Sequence, residues 1–100
     1  MTKLLSFTRS DKPEKKYKVV LETAAGRSKT IYFGDSSLKD YTSHNALERE
    51  ERKRLYLARH RATENWKDPE SAGFWSRHIL WGDTPSIKTN LARTKSRFGL

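Results

Sequence analysis

Basic side chains are the one chemical resource this sequence holds in excess. Twenty-one Lys and Arg stand against twelve Asp and Glu, a net charge of +9 with the three histidines neutral. The chemistry they offer is ionic: neutralising phosphates, carboxylates or lipid headgroups. Two groups of bases are candidate contacts. In Glu48-Arg49-Glu50-Glu51-Arg52-Lys53-Arg54 the bases alternate with acids, and the acids then vanish through Arg59-His60-Arg61. Arg54, Arg59 and Arg61 are therefore either phosphate contacts or part of a solvated, salt-bridged helix face. Between Ser71 and Leu100 five bases, Arg77, Lys88, Arg93, Lys95 and Arg97, meet one acid, Asp83. In a nucleic-acid reading Arg54, Arg59, Arg61, Arg93, Lys95 and Arg97 line one continuous positive face.

Other chemistry has little support. The absence of cysteine excludes disulfides, thiolate metal sites and cysteine nucleophiles. His44, His60 and His78 form no close pair at helical spacing, so no metal site is expected. No nucleophile elbow surrounds any serine, and Gly26 and Gly34 make no phosphate loop. The expectation is a non-enzyme with no cofactor, no metal and no small-molecule substrate.

The second resource is aromatic. Phe74, Trp75 and Trp81 crowd the run Ser71-Ala72-Gly73-Phe74-Trp75-Ser76-Arg77-His78-Ile79-Leu80-Trp81-Gly82. Trp66, Trp75 and Trp81 either stack on bases or fill a small core. Phe74 and Trp75 are adjacent and point different ways on a helix, so one of them is expected to anchor a partner. Leu4, Leu5 and Phe7 supply the apolar content of an N-terminal arm and complete the candidate protein interface.

The elements that must position these groups follow from periodicity. Tyr17, Val19 and Leu21 alternate through Lys16-Tyr17-Lys18-Val19-Val20-Leu21-Glu22-Thr23, a strand pattern, and Lys29-Thr30-Ile31-Tyr32-Phe33 reads as its partner. Gly26 between them supplies a reversing loop. From about Asn45 to about Glu64 neither Gly nor Pro occurs, which predicts a helix with a thin stripe of Leu47, Leu55, Ala58 and Ala62. Asp68-Pro69 and Gly82 bracket a helix over roughly 69–81, and Thr84-Pro85-Ser86 starts a last one carrying Ile87, Leu91 and Phe98. The expected fold is a small α+β module: an extended arm over 1–14, then a basic domain over 15–98 with a β-hairpin and about three helices. The hydrophobic fraction of 34% leaves only a small core. Leu4, Leu5 and Phe7 are too few for a signal peptide, and no apolar run reaches membrane-spanning length.

Lys15-Lys16-Tyr17-Lys18-Val19-Val20-Leu21-Glu22, Gly26-Arg27-Ser28-Lys29-Thr30-Ile31-Tyr32-Phe33-Gly34, Arg59-His60-Arg61 with Glu64-Asn65-Trp66, Ala72-Gly73-Phe74-Trp75-Ser76, Trp81-Gly82 and Ser86 to Arg97-Phe98 carry a further signal. Through them the chain, over roughly 15–98, resembles a family of small uncharacterised basic proteins of large DNA viruses, of the algal-virus type. The resemblance implies a viral setting and brings no activity with it. The expected function is a virion structural protein, a minor capsid or cement component bridging other capsid proteins. The alternative is a basic DNA-binding protein for condensing or packaging viral DNA. An anionic membrane surface is a further possible partner.

Overall fold

The computed structural model describes residues 2–100. Three strands, β1 (Lys3–Arg9), β2 (Lys15–Glu22) and β3 (Ser28–Asp35), form an antiparallel sheet in sequence order. Helix α1 (Arg49–His60) follows. A short helix, α2 (Ala72–Trp75), runs directly into a π turn over Ser76–Leu80, and α3 (Ile87–Phe98) closes the chain. No described helix is long and apolar enough to cross a membrane.

The alternation in β2 does what its period dictates. Val19 and Leu21 point into the core, opposite Ile31 and beside Phe33 of β3. Gly26 holds φ at +80° in the connecting turn, a conformation that costs other residues steric strain. The hairpin is thus found as expected, with one addition. Residues 3–9 are extended, yet they are not a free arm: they pair along β2 from Lys3 with Glu22 to Arg9 with Tyr17. Leu4 and Phe7 pack against the core, and the Phe7 ring stacks on Tyr17 at 5.3 Å. Both are thus partly buried within the fold and not free side chains of an arm. Leu5, beside a register shift in β1, remains 55% exposed.

The aromatic run fills the space above the sheet. Ser71 caps α2 by accepting the Phe74 N–H, one turn later than the Asp68-Pro69 start predicted. Phe74 and Trp75 are both 0% exposed. The Trp75 indole N–H donates to the Pro69 carbonyl at 2.8 Å, so even its polar edge is satisfied internally. Neither ring can anchor a partner. Successive residues diverge by roughly 100° around a helix. Here β3 lies on one side and α3 on the other, so both directions are inward: Trp75 meets Phe33, and Phe74 meets Phe98.

The last helix is capped by Ser86, whose side chain accepts the Thr89 N–H. Its buried stripe joins Asn90 and Thr94 to Ile87, Leu91 and Phe98. Asn90 is fully occupied: its amide donates to the Ile79 and Thr84 carbonyls, and its oxygen accepts from the Thr84 backbone and hydroxyl. Gly82 lies against this residue. A Cβ there would come within 2.4 Å of the His78 carbonyl oxygen, so only glycine fits the exit of the π turn.

Candidate nucleic-acid interface

The twelve residues of α1 supply one wall of the charged surface, held to the body by an unusual seam. Tyr56 is the buried member, stacked on Trp81 at 4.6 Å with the rings 8° from parallel, and on His60 at 4.5 Å. Lys53 donates to the Gly82 carbonyl at 2.9 Å, and Tyr41 bonds to Glu50. The expected stripe does not form the contact. Leu47 precedes the helix and is 95% exposed, while Leu55, Ala58 and Ala62 also face outward. Aromatic stacking and the stem of a lysine replace aliphatic packing. The helix is also shorter than predicted, Arg49–His60, because Asn45 caps a preceding turn through its side chain to Leu47 and Glu48.

Between α1 and α3 lies the π turn. The Trp81 N–H reaches back five residues to the Ser76 carbonyl, a widening that carries Arg77 and His78 into the seam. Arg77 donates to the Trp81 carbonyl at 2.8 Å and lies over the Trp66 ring at 5.5 Å. Burial holds its pKa below the ordinary arginine value, with the Arg97 charge adding to the same direction. An arginine so placed still carries its proton at neutral pH. His78 Nε2 sits 2.7 Å from the Trp66 carbonyl, which can only accept, so that nitrogen carries the hydrogen. Burial lowers the His78 pKa, the hydrogen bond opposes it, and the Arg77 and Arg97 charges lower it further. Glu64 joins the seam through His60 Nδ1 and the Trp66 indole N–H, both at 3.0 Å.

The six expected contacts separate. All are exposed, but Arg54 is taken by Glu51 at 2.6 Å. The other five, Arg59, Arg61, Arg93, Lys95 and Arg97, make no ion pair with any described residue. They do not form one continuous face. On α3, Arg93 and Arg97 are four apart and share one flank of the buried stripe, whereas Lys95 shares the opposite flank with Lys88, seven residues before it. On α1, Arg59 lies on the flank of Arg52, and Arg61 lies on that of Arg54. The reason is helical: bases two residues apart, as in Arg59-His60-Arg61 and Lys95-Ser96-Arg97, diverge across the axis. Among the described residues, Lys16, Lys18, Lys29, Lys53 and Arg54 are the Lys and Arg side chains that pair with a carboxylate. Positive charge is thus only partly compensated and is distributed over several sides.

Sequence reasoning missed Arg77, Trp66 and Tyr56 as the joint that carries this surface. The available signal was Tyr56 itself, spaced three from Lys53 and four from His60 in an otherwise charged helix.

Comparison with known proteins adds a family and little else. Residues 5–60 match the Family of unknown function (DUF5754), a stretch running from within β1 to the end of α1. No curated protein and no solved structure matches the chain.

Proposed function

We propose that this chain, which belongs to the DUF5754 family, is a non-enzymatic DNA-binding protein that bridges and condenses duplex segments. The carrying observation is the pair of cationic flanks on α3, Lys88 with Lys95 and Arg93 with Arg97, all exposed and none in an ion pair with a described residue. A protein reading sequence presents one surface to one groove. Bases on opposite flanks, with no recognition helix set apart from them, suit phosphate contact on two sides and no base readout. The resemblance to small basic proteins of large DNA viruses supports a virion as the setting, where such bridging would compact the genome.

A test separates binding from bridging. Charge reversal of one flank, Lys88→Glu with Lys95→Glu, or of the other, Arg93→Glu with Arg97→Glu, should leave the fold intact because all four side chains are solvent-facing. Each double variant should still bind a short duplex but lose the ability to tether two duplexes labelled with different dyes. Undiminished tethering in both variants would remove the reading.

A minor capsid or cement role, bridging other capsid proteins, is the second reading. Burial of Phe74 and Trp75 takes away its proposed anchors. What favours it now is β1, an edge strand that pairs only with β2 and exposes Leu5, ready to extend a sheet into a neighbour.

A further inference from the structure

A cleft of about 920 Å³ opens between α1, the end of β3 and the start of α2. Its walls combine two chemistries. Leu38, Leu55 and Leu80 are among its aliphatic members, and Leu38 and Leu55 are 60% and 44% exposed. Around them stand Lys15, Lys39, Arg52 and Arg59, exposed and without ion pairs to described residues, whereas the acids of the lining are engaged, Asp40 by Lys16, Glu64 by His60 and Asp35 by Ser37. Tyr56 also lines the cleft. It is only 7% exposed, its hydroxyl enclosed, so it forms the floor of the cleft and is not one of its contact groups.

We infer that this cleft docks an acidic amphipathic peptide segment of a partner protein, with leucine-type side chains on Leu38 and Leu55 and carboxylates on the surrounding cations. Charge complementarity selects the occupant. A second copy of this chain, at +9, would bring like charge to a cationic rim. A nucleic acid would satisfy the rim and leave the aliphatic residues unmatched, since bases stack on flat aromatic faces. Here Tyr56 and Trp81 stack on each other, and Lys12 covers the ring of Tyr32 at 4.2 Å. An apolar stripe flanked by glutamates fits both parts at once. The inference is independent of DNA bridging, which rests on α3.

The probe is a fluorescein-labelled peptide of about four helical turns with leucines at i, i+3, i+4 and i+7 and glutamates between them. Fluorescence anisotropy should show saturable binding to the full chain, weakened about tenfold or more by Leu55→Asp and by Arg59→Glu. Both positions are solvent-exposed, so the variants should retain the wild-type melting profile. In wild-type NMR spectra the peptide should move the Trp81 indole N–H, whereas that of Trp75, bound to Pro69, should stay. Absence of saturable binding overturns the proposal, as does indifference to Leu55→Asp. Displacement of the peptide by a single-stranded oligonucleotide whose own binding ignores Leu55→Asp also overturns it, and would make the cleft a nucleic-acid groove. None of these failures would touch duplex tethering through α3.

Discussion

Asn90 and His78 show how single polar residues hold this small core together. Asn90 links the π turn, the Thr84 loop and α3 through four hydrogen bonds. Asn90→Ala would leave the Ile79 carbonyl and the Thr84 backbone without partners inside the fold. Each buried group so stranded costs about 1–3 kcal/mol. Thermal unfolding of Asn90→Ala should therefore show a loss of about 2–4 kcal/mol, a large part of the stability of a domain this size. His78 makes stability depend on pH. Its ring lies against Phe74 and Phe98, and burial favours the neutral form, so its folded pKa is below the ordinary value. The unfolded chain then takes up the proton first. Stability is complete above about pH 6.5, where both states are neutral, and declines as pH falls toward the folded pKa. Melting temperatures measured across this range should fall in the wild type and fall less in His78→Gln.

Among the elements, the sheet was the most legible and α1 the least. Strand alternation in Tyr17, Val19 and Leu21 specifies a face directly, because one covered side leaves the register no freedom. The role of β1 was hidden since Leu4, Leu5 and Phe7 give no clean alternation; the register shift at Leu4 to Ser6 breaks the period. In α1 the propensity for helix was plain in the sequence, but the contact face was not. Its aliphatic residues mark the solvent and cleft sides, and an aromatic stack with Trp81, distant in sequence, fixes its orientation. The scattering of the candidate bases has the same source, since a list of nearby cations says nothing of which flank each occupies. This arrangement makes α1 a separable element, with few backbone contacts to the sheet or to α3. Tyr56→Ala should loosen it locally. Amide exchange should accelerate across Arg49–His60 while the Val19 and Ile31 amides in the sheet keep their protection. Equal acceleration everywhere would show that α1 is integral to global folding.

At the scale of the whole molecule, charge is the dominant property. The net +9 sits on a sheet and three helices with few carboxylate partners for its bases, and like charges on both flanks of α3 repel one another. Such a surface is stabilised by anything that neutralises it, so the melting temperature should rise when duplex DNA is added at low salt. The α+β architecture could be read from the sequence because helix and strand patterns are local. The choice between DNA and a protein shell could not, because Phe74 and Trp75 look alike as anchors and as core until the neighbours on both sides are known. Their burial removes the expected aromatic anchors, just as the divergence of the six bases removes the single positive face expected of a nucleic-acid surface. The most direct test is the affinity of the full chain for a short duplex of mixed sequence, measured from low to physiological salt. Tight, sequence-indifferent binding is expected, with a log–log slope of about −4 or steeper that reports four or more neutralised phosphates. A slope near zero, or affinity already negligible well below physiological salt, would contradict it.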